Sequence, residues 1–527
     1  MKEKFSIEPP VSRDGQLKID YQGDCSMNLT QFIKERAKEF YNKIFLREGP
    51  IALTYGEFDL ITDRMAAALQ SLGMKKGDHT AVLLPNSMDT LLCYFSIIKV
   101  GGTVIPINPL YTPREIAFLL NNSEAKVLLS TVQFQKTIEG IRPQVPILEK
   151  AIFRQGADSS IFKTVEGLVP AARSLQPVDL NCEDTAIIFY TSGTLGQPKG
   201  VILTHGNFTF SGPNIARAYG LKEEDITMAV LPLVHVFAVA SPVFGSLSSG
   251  GTVVILERFQ AEAALQAFAN YGITWFPGVP TMFNYIYHAW EKGIYKTSSI
   301  RMGLSGGSSL SVELLKNWER RFHAEILEVY GLTESTGLVT ANPVHGVRKA
   351  GSIGLSIPNV QTRLIDKDGK EAVPGEIGEL LFKGANATKG YWKLPELTRE
   401  SIREGWVYTG DLAQQDEDGY FYIVGRKKDL IITGGYNVYP REIEEVLYTH
   451  PAVYEAAVIG IPDEVKGEIP KAFITLKPGQ QTSEGEIIDF CKANLAPYKV
   501  PRQVEICSEL PKSSTGKILT QELKNKG

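Results

Sequence analysis

Apolar positions along most of this chain follow two alternating rhythms: short, nearly continuous apolar runs, and longer stretches with helical spacing. His79 to Leu84 reads as a buried strand, Asp89 to Val100 as a helix and Thr103 to Ile107 as the next strand. Thr112-Pro113-Arg114-Glu115 opens a helix, with Thr112 as cap, Pro113 in the first turn and Glu115 closing a capping box. That helix extends to about Asn121, and Lys126 to Ser130 returns to strand. Strands follow at Thr185 to Tyr190, Thr227 to Leu231 and Thr252 to Leu256, then a helix at Ala261 to Ala269 and a strand at Ile273 to Pro277. Such alternation predicts layered α/β with largely parallel sheets.

From about residue 350 the texture changes. Gln361 to Asp366, Gly378 to Lys383 and Tyr420 to Gly425 read as short strands between Asp-Gly and Pro-Gly turns, with no helix-length segment among them. A small antiparallel sheet or barrel over about 350–425 is expected. Beyond Arg426-Lys427-Lys428-Asp429 the pattern is helix (Pro440 to Tyr448), strands (Ala456 to Ile459, Lys471 to Thr475), helix (Glu484 to Leu495) and strand (Gln503 to Ile506). The expected organisation is a large domain over 1–425, a hinge at 426–429 and a small α+β domain over 430–527.

Composition narrows the class. The 527 residues exceed one ordinary core, and 43% hydrophobic with 22% charged residues is globular. A net charge of -4 gives no general attraction to nucleic acid or anionic membrane. The start of the chain lacks a secretory apolar run, and no stretch approaches the roughly 20 apolar residues that span a bilayer. Five scattered cysteines without a Cys-x-x-Cys pair suggest reduced thiols, a cytoplasmic location and no metal site of their own.

Chemistry concentrates first in Tyr190-Thr191-Ser192-Gly193-Thr194-Leu195-Gly196-Gln197-Pro198-Lys199-Gly200, which follows a strand. Glycines let backbone N–H groups turn toward an anion, hydroxyls donate further hydrogen bonds, and Lys199 adds charge. The composition suits a polyphosphate. It is not a Walker loop, which needs Gly-Lys-Ser/Thr opening a helix. Taken alone, it is equally an ordinary Gly/Thr-rich turn.

Four further strings follow in order: Tyr330-Gly331-Leu332-Thr333-Glu334, Tyr408-Thr409-Gly410-Asp411, Gly425-Arg426-Lys427-Lys428-Asp429 and Pro511-Lys512-Ser513-Ser514-Thr515-Gly516-Lys517. Together with the phosphate loop they resemble the motif set of the AMP-forming adenylating superfamily, which holds acyl-CoA synthetases, aryl-acid:CoA ligases, luciferases and adenylation domains. The resemblance runs from about residue 28 to the end of the chain.

That resemblance implies roles. Thr191, Ser192, Gly193, Thr194 and Lys199 would cradle the phosphates of ATP, with Thr194 also acting in catalysis. Tyr330 and Gly331 would lie beside adenine, Thr333 would donate to the α-phosphate, and Glu334 would ligate Mg²⁺. Ser308 and Ser309, where the family more often has Ala-Pro, would run along the other side of the base. Asp411 would accept from both ribose hydroxyls, joined by Arg426. Lys517 would bridge the acid's carboxylate and the α-phosphate, and His235 would stand between the carboxylate and the pantetheine tunnel. Two departures, Thr520 for a frequent arginine and Leu195 for a frequent threonine, touch none of these residues.

The implied reaction is acid plus ATP to acyl-adenylate and pyrophosphate, then transfer of the acyl group to coenzyme A. The family's C-terminal domain rotates between the two steps about a hinge matching Lys428, which would bring Gly434, Gly435, Tyr436 and Asn437 to the CoA side. By analogy the acyl pocket draws on His235, Phe237, Val239, Gly307, Gly331, Gly337 and Leu338. With no second cation among them, a medium- or long-chain fatty acid or an aryl monocarboxylic acid is expected. The alternatives are transfer to a carrier-protein thiol, against which the absence of a fused carrier domain counts, and a non-catalytic nucleotide-binding protein on the same scaffold. Monomer and dimer remain equally open.

Overall fold

The computed structural model describes residues 27–154, 160–168, 174–191, 198–290, 299–513 and 516–525. Among these residues the chain forms a nine-stranded sheet, a seven-stranded sheet and two five-stranded sheets. The nine-stranded sheet has six consecutive parallel strands: Glu325–Tyr330, Met302–Ser305, Trp275–Gly278, Ile226–Ala229, Thr252–Ile255 and Ile44–Glu48. In the seven-stranded sheet, Thr185–Thr191, Thr103–Pro106, His79–Leu83, Val127–Thr131 and Lys150–Arg154 are parallel, while Lys199–Thr204 turns back antiparallel on Thr185–Thr191. The predicted capping box is present: Thr112 accepts from the Glu115 N–H, and the Glu115 carboxylate accepts from the Thr112 N–H.

The helix Met88–Lys99 explains how the two sheets become one body. It touches strands of both and is buried at every residue. A helix apolar all round needs partners all round. Its one cation, Lys99, is neutralised by Asp59 at 2.5 Å and Asp63 at 2.7 Å. Phe45, Phe58, Phe95, Phe244 and Phe208 form a continuous ring-to-ring chain through this core, at centroid spacings of 4.6–5.5 Å.

The region after residue 350 departs from its prediction in two respects. A helix, Pro395–Ser401, lies where none was expected. The ten-residue strand Trp406–Gln415 was missed, and it places Tyr408 to Asp411 within a sheet. A bulge there, where Glu379 pairs with Leu412 and Leu381 with Tyr408, contains Gly410 at φ +72°. A bulge glycine reads like a turn glycine in sequence. Cys93, Cys491 and Cys507 are free thiols.

Residues after the short 3-10 turn Lys427–Asp429 build the last five-stranded sheet around the long hairpin Val453–Asp463 and Gly467–Leu476. The helices Pro440–Tyr448 and Glu484–Asn494 cover it. Its apolar clusters, with Val438, Leu447, Val458, Ile474 and Ile487 in one and Ile459, Phe473 and Leu510 in the other, are separate from the main core. No helix among the described residues is long and apolar enough to cross a membrane.

Candidate active site

The strand Glu325–Tyr330 delivers Tyr330 to the edge of the site. The Tyr330 hydroxyl donates to Asp411 Oδ2 at 2.7 Å, and Arg426 Nε lies 2.9 Å from Asp411 Oδ1. Asp411 and Arg426 are register partners on adjacent antiparallel strands, so the sheet itself fixes this pair. The aspartate raises the Arg426 pKa, and burial with the same carboxylate raises that of Tyr330. The result is a carboxylate held by two donors and aimed from a rigid strand, a good acceptor for a pair of hydroxyls.

Gly331 is required by its surroundings, because an added Cβ would sit 2.2 Å from the Gly337 carbonyl oxygen. This close approach folds the 331–337 segment tightly around the 3-10 turn Thr333–Ser335. Glu334 accepts from the Tyr391 hydroxyl at 2.8 Å, and its carbonyl accepts from the Thr388 N–H at 2.7 Å. Tyr391 also lies 5.9 Å from Lys199 Nζ, over whose strand it pairs in register with Val201. Thr191 and Lys199 face each other across the antiparallel pair that carries the phosphate loop. Ser192, Gly193 and Thr194 lie outside the described residues.

One pocket joins the two domains. Its wall includes His235, Phe237, Val279, Gly306, Gly307, Val329, Gly331, Thr333 and Gly337 from the large domain and Lys517 from the small one. Burial, with Arg426 and Lys428 adding to it and Asp411 and Asp429 opposing, lowers Lys517 from 10.5 to about 8. Burial also lowers His235 to about 4, so its imidazole is neutral at neutral pH. Gly516, at φ +81°, makes the bend that presents Lys517; the Lys517 N–H donates to Ser513 Oγ at 3.2 Å.

Not every expected residue reaches this pocket. Val239 and Leu338 are buried behind its wall and do not line it. Ser308 and Ser309 are exposed and stand outside the pocket wall. Gly434, Gly435, Tyr436 and Asn437 are exposed at the tip of the Ile431–Thr433 and Tyr436–Val438 hairpin, away from the pocket, with Tyr436 stacked on Tyr498 at 4.7 Å. Lys428 sits in the 3-10 turn between the two domains, its pKa lowered by burial.

Sequence reasoning missed Tyr391, Val279 and Val329, which the fold brings in from distant positions. It also missed a charged contact across the two domains. Arg441 of the small domain donates to the Ile423 carbonyl at 2.9 Å and stands 3.9 Å from Glu328, two residues before Tyr330. Glu328 is fully enclosed, and burial raises its pKa to about 7 against the pull of Arg441.

A buried carboxylate clamped by Tyr330 and Arg426, a hairpin carrying Lys199 and a pocket lined by a lysine from the second domain together define an adenylate-forming enzyme. The family model for AMP-binding enzymes matches residues 33–392, and that for the AMP-binding enzyme C-terminal domain matches 442–517. The chain belongs to this family, the AMP-forming acyl-CoA synthetases. It is 34% identical to a long-chain-fatty-acid–CoA ligase of Bacillus subtilis, over 94% of each chain. An anthranilate CoA ligase in complex with anthranoyl-AMP matches its structure at a TM-score of 0.89 and 30% identity, covering 95% of this chain and 97% of that one. The o-succinylbenzoate coenzyme A synthetase of Bacillus subtilis with ATP and a magnesium ion matches at 0.82 and 31% identity, covering 94% and 99%.

Proposed function

We propose that the chain joins a medium- or long-chain fatty acid, or an aryl monocarboxylic acid, to coenzyme A through an acyl-adenylate. The observation that carries this reading is the shared pocket of Lys517, His235 and Thr333 beside the Tyr330–Asp411–Arg426 cluster. In the first step a carboxylate oxygen bonds to the α-phosphorus of Mg·ATP and pyrophosphate leaves with the bridging oxygen. Two anions must approach, so Lys517 between them lowers the barrier electrostatically. Neutral His235 can donate one N–H to the acid without competing for the phosphate's charge.

The donor set suits Mg²⁺. Among the described residues no group of three or more His, Cys, Asp or Glu is gathered as a ready-made metal site. A divalent ion would therefore rely on Glu334 and the substrate's phosphates, the usual way Mg²⁺ is held. In the second step the thiol sulfur bonds to the acyl carbon, the C–O bond to AMP breaks and the thiol proton passes to solvent. The arrangement with Lys517 inside and Tyr436 outside suits the first step, and rotation about Lys428 would exchange them.

The apolar wall of Leu231, Val236, Phe237, Ala238, Val279 and Val329 supports an acid with an apolar body. Fatty-acid and anthranilate ligases among the relatives agree with that class. The test is a panel of fatty, aryl and dicarboxylic acids with ATP and Mg²⁺, then CoA, followed by mass spectrometry. Acyl-AMP and acyl-CoA should appear for apolar monocarboxylates. Pyrophosphate release with none of the acids would reject the reading.

A further inference from the structure

The helix Pro280–Trp290 has two occupied faces. Met282, Phe283, Ile286 and Ala289 are buried against the large domain. Thr281, Tyr285 and His288, spaced i, i+4 and i+7, form a stripe away from that core face. Every member of the stripe meets the small domain. Thr281 Oγ1 donates to the Gly516 carbonyl at 3.3 Å. Tyr285 accepts from Lys512 Nζ at 3.1 Å, and its ring stacks on Tyr454 with centroids 6.2 Å apart. His288 lies 5.6 Å from the same Tyr454 ring.

We propose that this stripe is the seat for Lys512 and Gly516, which makes Thr281 and Tyr285 positioning residues for Lys517 in adenylate formation. The inference rests on the reading that Lys517 serves that step. Gly516 directly precedes Lys517 and Lys512 lies five positions before it, and both are held by the same helix. Lys512 is itself fixed by Glu455 at 2.8 Å, a buried carboxylate of the small domain. The small domain thus carries a preset lysine whose hydrogen bond across the boundary is to a neutral phenol oxygen. A neutral acceptor holds the loop in register yet releases it without separating an ion pair, as an alternating domain needs.

The seat predicts a division between half-reactions. Tyr285→Phe removes one hydrogen bond and should slow single-turnover pyrophosphate release roughly 3–10-fold, leaving thioester formation from supplied acyl-AMP unchanged or faster. Tyr285→Ala removes the ring and the hydrogen bond together, and should deepen the loss of pyrophosphate release while again sparing thioester formation from supplied acyl-AMP. Equal losses in both half-reactions for Tyr285→Phe and Tyr285→Ala, or no loss in either, would overturn the seat. Lys517→Ala run in parallel separates the two ideas. If it fails to lose adenylation selectively, the role of Lys517 falls; if it does while Tyr285→Phe behaves like the parent, only the seat falls.

Discussion

Replacing Lys517 with alanine tests the chemistry most directly, and the structure sets the size of the effect. Burial disfavours the ammonium in the pocket, its pKa falling from 10.5 to about 8. At about 1.4 kcal/mol per tenfold, this is roughly 3 kcal/mol of charge burial held ready before substrates arrive. A phosphate oxygen about 4 Å away gains on the order of 4 kcal/mol at an effective dielectric near 20, enough to recover it. The portion realised only as carboxylate and phosphate converge should match that of other preorganised charges, about 10²–10³ in rate. The assay is rapid-quench measurement of acyl-AMP from acid and Mg·ATP, beside thioester formation from purified acyl-AMP and CoA. The first should fall by about 10²–10³, while the second should stay within about twofold of the parent, since the proposed rotation about Lys428 would then carry Lys517 out of the pocket. A comparable fall in both, or a loss of adenylation under about tenfold, would refute the assignment.

Three other outcomes follow from the geometry. Because Lys517 must be protonated and burial lowers its pKa to about 8, kcat/KM for ATP should decline as pH rises through that value, and thioester formation assayed alone should lack this limb. Tyr391→Phe should raise the Mg²⁺ concentration for half-maximal pyrophosphate release about 10-fold, and should weaken equilibrium binding of a Mg²⁺-loaded, non-hydrolysable ATP analogue in parallel, because the phenol orients the Glu334 oxygen. Glu328 has a folded pKa of about 7 against an ordinary 4.5, so its contribution to stability is full below 4.5 and is lost as pH rises through 7. Glu328→Gln should therefore gain on the parent by up to about 3 kcal/mol between pH 4.5 and 8, read from denaturant unfolding at the two pH values.

Local signals in the chain carried the parallel α/β layers, because short apolar runs and capped helices such as Thr112–Glu115 are decided by neighbours in sequence. The strand Trp406–Gln415 was hidden because its bulge at Gly410 mimics a turn. The site divides the same way. Tyr330, Asp411, Arg426 and Lys517 stand in strings that resemble a family, and the fold brings them near one another. Tyr391 and Arg441 have no such signal, since their meaning comes from Glu334 and Glu328, more than 50 positions away in each case. Val239 and Leu338 show the converse: apolar residues beside a pocket in sequence can face the core behind it.

The two-residue strand Gly390–Tyr391 links properties that would otherwise be independent. Its backbone is hydrogen-bonded into the hairpin that carries Lys199, while its side chain grips Glu334. With Lys199 and Glu334 in their proposed roles, phosphate grip and metal grip would hang from a single bracket. Loosening that bracket would degrade affinity for nucleotide and for its counter-ion together, so neither can be tuned alone by changes at this point of the chain.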